Sequence, residues 1–563
     1  MRNIIIVDCI STGINFIGDI VNRNYNPVVL ELKSTGFNED EYKSHMNEYY
    51  DLIDEKFDMI YEKDSYEETL KEVKKYNPVL VLPGNEHGVV LATKLANDLN
   101  LLCNSIENLD AMTLKHEMHN RLAEKGLRYI RGKVICTVDE AIEFYDNESL
   151  KEVVIKPVYS AGSVGVKICL NKEELIRGIK ELFNKKNYYN EDIKEIIIQE
   201  RINGTEYIVN TVSCEGIHRV TTIWKYSKVQ TSDGAMIYDT VVTVNELGIG
   251  EAEMVEYAYN VADALGIKYG PVHGEYMIDE NGPVLIEVNC RPCGATLSAE
   301  YLDKISGQHE TDSILDSYLK PSRFLEKRKQ RYRLNAFGAF KIFIVPEEIR
   351  ACSCPMKNIS PKLKSFYKCS LELPEENTHF IKTEDLTSSC GIVFMVHSDK
   401  SVLYDDVEYL RSVEKKAFNL VLSDEKKMNY QLDEKKLIED MREVISITDE
   451  YGTGLLITDQ FFDNEDIVQV GIDDLSTVNG EFDYVIVNLN KSLIEKRDDL
   501  TVDVILNIFS NIRVGGIVFI PETTYKYVST GRNGIEALLK ILNLRIEVPP
   551  YGVNTGIIAS KDN

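Results

Sequence analysis

Residues 270–294 carry the most promising set of chemically active side chains in this sequence. The stretch predicts two strands joined by a tight turn, at 272–278 and 284–290. Side chains alternate between the two faces of a strand, so Glu287, Asn289 and Arg291 share one face. A half-buried strand should be apolar on that face, yet this one carries an acid, an amide and a cation. The pattern therefore indicates a binding site, with an exposed hairpin of solvated acids as the alternative.

The register of this hairpin decides whether a second carboxylate joins the set. Glu275 shares the face only if it lies opposite Glu287. A two-residue turn at Asn281–Gly282 would pair Glu275 with Val288 and would put the two carboxylates on opposite faces. Pro283 has no N–H and disfavours the tightest turn. We therefore predict a loop of three or five residues that brings the two carboxylates together.

These converging groups would offer oxygen atoms beside a cation. Two carboxylates and a carboxamide suit Mg²⁺ that is shared with nucleotide phosphates. Cys290 and Cys293 follow directly as a C-x-x-C pair. Zinc would need a second such pair placed for it, and the sequence offers none. We predict thiols packed on a turn, with a redox role as the alternative.

The bulk composition excludes several classes of protein. At 563 residues the chain is too long for one core, which predicts three or four domains. A formal net charge of −27 argues against a nucleic-acid partner, because phosphates need a basic surface. The sequence has neither an apolar run of transmembrane length nor a start typical of a signal peptide, so no membrane partner is expected. Eleven cysteines without a disulfide framework indicate a reducing, cytoplasmic location.

The first hundred residues alternate strands with helical patterns, which predicts a parallel sheet with helices on its faces. The predicted strands are 3–8, 28–32, 57–61 and 79–82. The loop after the first strand lacks G-x-G-x-x-G, so dinucleotide binding is not supported. Glu86 lies just beyond the fourth strand, at the edge where open α/β sheets bind ligands. It is either a substrate contact or an acid favoured at a helix N-terminus.

Two further stretches fit a bound nucleotide. A buried strand at 153–156 ends in Lys156, and the small residues after it form a turn whose backbone N–H groups could cradle phosphates. Its spacing is not that of a P-loop. A second strand at 195–200 leads into a polar linker whose backbone could pair with the edge of adenine. Glu206, beyond the linker, could accept hydrogen bonds from ribose hydroxyls.

Together these stretches resemble the ATP-grasp superfamily and, within it, the carboxylate–amine ligases that include L-amino-acid ligases. The matched features are Lys115 on a helix predicted from Leu109, Val-Ile-Lys156-Pro with Ser160-Ala-Gly-Ser-Val-Gly, the run from Gln199 to Glu206, and Glu275 with Glu287-Val-Asn289-Cys-Arg291. The twelve-residue step from Glu275 to Glu287, with an Asn and an Arg following, is also the pattern of biotin carboxylases. Cys290 and Cys293 replace the small residues usual in the family.

The resemblance implies a role for each matched residue. Nucleotide contacts would come from Lys115 and Lys156 on the ATP phosphates, from Ser160, Gly162 and Ser163 in the loop that closes over them, from Gln199, Glu200 and Ile202 at adenine, and from Glu206 at ribose. Mg²⁺, with Mn²⁺ as the alternative metal, would be held by Glu275, Glu287 and Asn289. Catalytic roles would fall to Arg291, facing the transferred phosphoryl group, to Lys156, and to His273 at a position that is often basic and substrate-facing.

The resemblance also implies the fold class and the domains. We expect a multidomain α/β and α+β protein with an ATP-grasp fold. Its expected parts are a pre-ATP-grasp α/β domain at 1–108, an ATP-grasp core at 109–305 with a lid at about 133–199, and a closing subdomain at 306–425. A C-terminal Rossmann-like α/β domain at 430–563 resembles the second half of class I S-adenosylmethionine-dependent methyltransferases. The glycine-rich first loop that those methyltransferases need is not recognisable here. We therefore predict a non-catalytic module that serves in homo-oligomerisation or in another interaction.

The function implied is that of an ATP-dependent ligase. It would join a small carboxylate to an amine through an acyl phosphate, and would release ADP and phosphate. The carboxylate expected is that of an amino acid. Two alternatives stay open: a carboxylase-like enzyme that activates bicarbonate, and a non-catalytic scaffold that binds ATP. The partners expected are small-molecule substrates.

Overall fold

The structure is a computed structural model, and it describes only part of the chain. The described residues are 2–33, 50, 53–159, 164–187, 191–230, 236–346, 348–351, 354, 356, 359–371, 378–384, 388–420, 454–458, 467–471, 482–488, 512–521, 544–547 and 556–561. The chain divides into two compact units, 1–340 with 385–387 and 395–403, and 341–384 with 388–394 and 404–563. No helix of the described residues has the length and apolar content that crossing a membrane requires.

The first unit opens with the parallel sheet predicted from the sequence. Its strands are β1 (Asn3–Val7), β2 (Asn26–Glu31), β3 (Asp58–Tyr61) and β4 (Leu80–Pro83), in the spatial order β3-β2-β1-β4 and all parallel. Helices Asn15–Val21, Tyr66–Lys75 and Gly88–Asp98 connect or follow them. Ile4, Ile5 and Ile6 are all fully buried, as expected of a strand covered on both faces. The parallel arrangement brings the ends of β1 and β4 to one edge.

A small antiparallel sheet follows, with two helices packed on it. The strands are β5 (Gly132–Ile135), β6 (Val153–Pro157), β7 (Lys167–Cys169) and β8 (Ile196–Glu200), in the order β5-β8-β6-β7. The helices are Val138–Asn147, which begins at a capping box between Thr137 and Glu140, and Lys172–Phe183, capped by Asn171. Their apolar faces form one core with β5, β6 and β8. Lys156 therefore projects from a rigid strand.

The central sheet of the first unit carries the hairpin. Five strands lie in the order β13-β12-β9-β10-β11: β9 (Thr205–Cys214), β10 (Ile217–Gln230), β11 (Met236–Thr243), β12 (Gly270–Asp279) and β13 (Gly282–Asn289). Helix Ile249–Ala264 packs against it and buries Met254, Ala258 and Val261. Gly266 follows with a φ of 75°, the left-handed conformation that ends many helices.

The helices flanking this sheet place further site residues. They are Leu109–Thr113, Lys115–Glu124, Ala299–Ser306, Glu310–Leu319 and Pro321–Arg328. The single helix predicted from Leu109 is wrong, because Leu114 is extended (φ −103°, ψ 115°) and separates two helices. Lys115 is consequently the first residue of the second helix rather than an interior residue of a longer one.

The remaining elements follow residue 336. They are β14 (Phe337–Ile342), β15 (Ile349–Ala351), β16 (Phe366–Leu371), β17 (Thr378–Phe380), β18 (Gly391–His397) and helix Lys400–Leu420. The tail adds β19 (Gly454–Thr458), β20 (Ile467–Val470), β21 (Phe482–Asn488), β22 (Ile512–Pro521), β23 (Leu544–Glu547) and β24 (Gly556–Lys561). The tail strands lie in the order β20-β19-β21-β22-β24-β23, with β24 antiparallel to both neighbours.

Candidate active site

The hairpin has the predicted register but reaches it by a different route. Glu275 lies opposite Glu287, as predicted. The predicted loop of three or five residues is wrong, because Asp279 lies opposite Gly282 and only two residues form the turn. The extra residue that brings the two carboxylates onto one face is Ile286. It bulges out of the ladder between Glu287, which pairs with Glu275, and Leu285, which pairs with Tyr276.

The two-residue turn is stabilised by the residues on either side of it. The side chain of Asp279 accepts a hydrogen bond from the Asn281 N–H at 2.8 Å, and Gly282 adopts a φ of 94° that glycine alone takes without strain. Pro283 lies one position beyond the turn, opposite Ile278, so its missing N–H does not obstruct closure. Arg128 makes two hydrogen bonds to the Asp279 carboxylate, at 2.8 and 2.7 Å.

The two carboxylates of the hairpin lie among lysines. Lys115 Nζ is 2.9 Å from Glu287 Oε2. Burial alone would raise the pKa of Glu287, but Lys115 and Lys156 hold it well below its usual range. Burial and the neighbouring Glu287 together raise the pKa of Glu275. Two acids face each other across the ladder; cations outweigh burial at Glu287, whereas at Glu275 burial and Glu287 outweigh Lys228, Arg291 and Lys115.

Lys156, on strand β6, is the second lysine that acts on Glu287. Its side chain is buried, and burial lowers its pKa to about 8, against the opposing attraction of Glu287. Burial would also lower the pKa of Lys115, but Glu287 and Glu86 raise it above its ordinary value. Two ammonium groups thus approach one carboxylate, which is an arrangement suited to receiving further negative charge.

Arg291 and Asn289 meet Glu86, whose role the sequence left open. Arg291 Nη2 is 3.4 Å from Glu86 Oε2. In one amide orientation Asn289 donates to Glu287 Oε1 at 3.3 Å, and in the other it donates to both Glu86 oxygens at 3.2 Å. The Arg291 Nε is buried and has no hydrogen-bond partner among the residues that the structure describes. Glu86 therefore lies against two candidate site residues, at the sheet edge where the sequence offered it as a substrate contact.

His273 lies on β12 two residues before Glu275, in surroundings that favour its neutral form. Its Nδ1 is 2.8 Å from Asn210 Oδ1, and its Nε2 is 3.7 Å from Glu275 Oε1. Burial and the nearby Arg291 lower the pKa of His273 to about 3. Asn210 is a partner that sequence reasoning missed, because its strand β9 pairs with β12 only in the folded sheet.

Glu206 has a partner that the sequence did not indicate. Lys228 Nζ, on β10, is 2.6 Å from Glu206 Oε2 and 4.3 Å from the centre of the Tyr238 ring. Burial raises the pKa of Glu206, and Lys228 opposes that rise. Tyr226 and Tyr238 lie beside the lysine with ring centroids 4.7 Å apart. A basic residue between two tyrosines on successive strands is the signal that could have found this cluster.

The residues predicted for adenine differ in their surroundings. Gln199 is buried on β8, and Ile202 is half-buried in the linker beyond it. The Glu200 carboxylate is already bound, since it accepts from Arg131 Nε at 2.9 Å and Nη2 at 2.7 Å. Its backbone, rather than its side chain, is what a ligand could use. Ser160, Gly162 and Ser163 lie outside the described residues.

The surroundings of Cys290 and Cys293 agree with the prediction that their thiols are packed on a turn. Both are buried and free, and burial raises the pKa of each to about 12. A buried thiol with so high a pKa is a poor nucleophile. The Cys293 N–H donates to Glu310 Oε2 at 2.9 Å, which fixes the turn after Arg291.

Three comparisons bear on this geometry. Residues 150–300 match the family model of the ATP-grasp domain. The chain is similar to dapdiamide A synthase of Enterobacter agglomerans, with 28% identity over 368 residues, or 64% of this chain and 84% of that protein. It is also similar to the carbamoyl phosphate synthase large chain of Clostridium botulinum (strain Eklund 17B / Type B), with 25% identity over 46% of this chain but only 23% of that protein.

A solved structure has the same fold. The L-amino acid ligase from Bacillus licheniformis superposes with a TM-score of 0.57 and 16% identity, over 73% of this chain and 97% of that one. Identity this low supports the fold alone. The family model over residues 150–300, the hairpin register and the lysines around Glu287 agree with an ATP-grasp domain in this part of the chain.

Proposed function

We propose that the chain is an ATP-dependent ligase that joins a small carboxylate, first of all an amino acid, to an amine. The observation that carries this proposal is the carboxylate pair Glu275 and Glu287, held opposite each other among Lys115, Lys156 and Arg291. The similarity to dapdiamide A synthase, which extends over 84% of that protein, supports amide-bond formation. We expect the reaction to proceed through an acyl phosphate and to release ADP and phosphate.

The residues present fit a magnesium–nucleotide site. Among the described residues, groups of three or more His, Cys, Asp or Glu side chains set for a metal are absent. Mg²⁺ shared with phosphates needs fewer protein ligands, and a facing pair of buried carboxylates with a carboxamide beside it supplies them. Glu275, Glu287 and Asn289 would hold the ion. When bound, Mg²⁺ offsets negative charge on the transferred phosphoryl group.

The other nucleotide contacts follow from the same geometry. Lys115 and Lys156 would release Glu287 to the metal and turn to the phosphates, which carry more charge. Glu206, now paired with Lys228, would accept from the ribose hydroxyls. The backbone at 199–202 would pair with adenine, and Ser160, Gly162 and Ser163 would close over the phosphates.

The chemistry needs activation because a free carboxylate has no good leaving group. Transfer of a phosphoryl group from ATP to the carboxylate makes an acyl phosphate, whose phosphate leaves readily. Arg291, with one buried N–H still free to donate, is placed to bind the transferred group. Burial of His273 keeps it neutral, so it can orient the substrate by hydrogen bonding without adding charge.

Two rival functions would use the same pocket. A carboxylase-like enzyme would phosphorylate bicarbonate, and the similarity to part of carbamoyl phosphate synthase favours keeping this candidate. A non-catalytic ATP-binding scaffold would have no need of Glu275, Glu287 and Arg291 together, which argues against it.

The function is tested by incubating the chain with Mg²⁺ and ATP across a panel of amino acids and bicarbonate. We expect ADP release that depends on an amino-acid pair, and a product with the mass of the amide. ADP release with bicarbonate alone would favour the carboxylase. Formation of AMP and pyrophosphate, or no turnover with any pairing, would contradict the ligase.

For the rest of the chain we propose the domain limits predicted from the sequence, with a Rossmann-like, methyltransferase-like tail at 430–563. Its four parallel strands β20, β19, β21 and β22 support this assignment. The sequence also predicts helices near 437–446, 500–512 and 533–542. These ranges lie outside the described residues, apart from Ile512, the first residue of β22. We propose that the tail joins copies of the chain rather than catalysing a reaction, and that the protein acts in the cytoplasm. Mn²⁺ is the alternative metal.

A further inference from the structure

The strand order of the first sheet points to a second chemical feature beside Arg291. The chain passes from β1 to β2 and β3 on one side and then returns to β4 on the other. Ligands of open α/β sheets bind where the order reverses, beyond the carboxyl ends of the two strands. Asp8 directly follows β1, and Glu86 and His87 follow β4. The reversal point thus carries two acids and an imidazole.

Tight backbone packing fixes these two loops against each other. A side chain at Gly84 would collide with the Asp8 carbonyl, and one at Gly88 would collide with the Val7 carbonyl. Asp8 is 2% exposed and has a φ of 58°, which is uncommon for a residue other than glycine. Strain of this kind persists where the surrounding structure holds it, often at functional sites.

The geometry pairs Asp8 with His87. His87 Nδ1 is 3.7 Å from Asp8 Oδ2, an ion-pair distance that a small ring movement would shorten to a hydrogen bond. The His87 side chain is 31% exposed, so a ligand can reach it, whereas the Asp8 side chain is 3% exposed. The neighbouring residue Glu86 contacts Arg291. The imidazole therefore lies one residue away from the group proposed to bind the acyl phosphate.

The charges around His87 favour its acting as a base. Asp8, Glu86 and Arg291 are charged groups of the described residues that act on it. Burial lowers the pKa of His87, but the contact with Asp8 and the charge of Glu86 outweigh burial and the repulsion from Arg291, and raise it above its ordinary value. An α-amino group has an ordinary pKa of about 8, so a raised histidine is closely matched to it.

We propose that His87 is the general base that deprotonates the attacking amine, and that Asp8 is the positioning residue that orients it. This inference rests on the proposed function. The substrate ammonium gives one proton to His87, and the nitrogen lone pair forms a bond to the acyl carbon. The bond from that carbon to the phosphate oxygen breaks, and phosphate leaves with the electron pair. Phosphate takes the second proton from nitrogen, and His87 releases the first to solvent.

The test compares two nucleophiles on a His87→Gln variant of the full chain. An α-amino acid must lose a proton before it attacks, whereas hydroxylamine is largely neutral at neutral pH and needs no base. We expect amide formation to fall about a hundredfold. Hydroxamate formation, which reports the acyl phosphate, should stay within about twofold of the wild-type rate. His397→Gln, at a histidine whose ring accepts the Asp399 N–H at 2.9 Å and which is not among the candidate site residues, should leave both reactions unchanged.

Each other outcome contradicts a different proposal. Unchanged amide formation in His87→Gln would remove His87 from the reaction. An equal loss of amide and hydroxamate formation would show that His87 has a structural role and is not the general base. If the wild-type protein forms neither hydroxamate nor amide with any carboxylate, the ligase itself is wrong, and the failure does not lie with His87.

A second variant separates orientation from folding. In Asp8→Asn the carboxylate that raises the pKa of His87 is gone, so the acidic limb of the kcat profile for amide formation should move to lower pH. The purely structural alternative predicts a lower rate with the limb unmoved. That result, with a thermal midpoint close to that of the wild type, would overturn the proposal for Asp8.

Discussion

At the scale of single residues, the site depends on which charges are compensated. Glu287 is held as an anion by Lys115 and Lys156, whereas burial and Glu287 both favour the protonated form of Glu275. A divalent cation would reverse the second effect, because it stabilises both carboxylates as anions. Binding of the metal–nucleotide complex should therefore release a proton from the protein.

Glu287→Gln should abolish ligation and leave the protein folded. The substitution keeps the size of the side chain but removes the anion that both lysines and the proposed metal share. We expect ADP release to fall at least about a hundredfold, while the far-ultraviolet circular dichroism is unchanged. Glu280→Gln, at the exposed tip of the same hairpin, is the matched control and should keep full activity. Retained activity in Glu287→Gln would show that the metal lies elsewhere.

At the scale of elements, the hairpin works because a bulge replaces a longer loop. Ile286 shifts the ladder by one residue, so the tight turn and the facing carboxylates coexist. A bulge also bends its strand, which re-aims the residues that follow. Asn289 and Arg291 follow, and they meet Glu86 from β4. Two elements far apart in the sequence thus complete one set of charges.

Another link between elements should give the stability a pH dependence. His309 precedes helix Glu310–Leu319, and its two ring nitrogens lie 2.8 Å from Asp19 and 3.0 Å from Asp303. Both nitrogens can donate only in the imidazolium. Burial lowers the pKa of His309, but the two acids outweigh burial and raise it to about 9.

His309→Gln should therefore destabilise the protein most at low pH. A raised folded-state pKa gives stability that is fully present below the unfolded value of about 6.5 and is lost as pH rises through about 9. We expect the variant to lose roughly 1–3 kcal/mol at pH 6, measured by urea unfolding. The difference from the wild type should narrow above about pH 9. A difference that is constant with pH would contradict a charged His309.

At the scale of the whole molecule, the chain is longer than the solved ligase whose fold it shares. The solved L-amino acid ligase is matched over 97% of its chain by 73% of this one, which leaves about a quarter without a counterpart. All the described site residues lie in the first compact unit. The tail has its own six-stranded sheet.

A chain ending at residue 425 should therefore keep ADP release within about twofold of the full chain. If the tail joins copies, light scattering should give the shortened chain fewer copies per particle than the full chain. The full chain should show no binding of S-adenosylmethionine by calorimetry. Micromolar binding would overturn the non-catalytic assignment, and lost activity at unchanged folding would show that the tail supports the reaction.

Most elements could be predicted from the sequence, and so could the register that puts Glu275 opposite Glu287. Short-range patterns predict them well, because strand alternation, helix capping and apolar periodicity depend on neighbours in the chain. The strands β1, β6, β8 and β12 lie within two residues of their predicted limits. The break at Leu114 was missed, because both flanking stretches are helical and nothing in the local pattern marks the change.

The sequence by itself determined that two acids, an amide and an arginine stand two or twelve residues apart, with lysines upstream. Only the tertiary structure decided which residues meet them. The bulge at Ile286 sets the register of the hairpin, and the contacts Glu86–Arg291, Lys228–Glu206 and Asp8–His87 each join residues from two different strands or from the loops that follow them. Such contacts depend on sheet order and on burial, and electrostatic attraction becomes strong only when folding removes water from the charges.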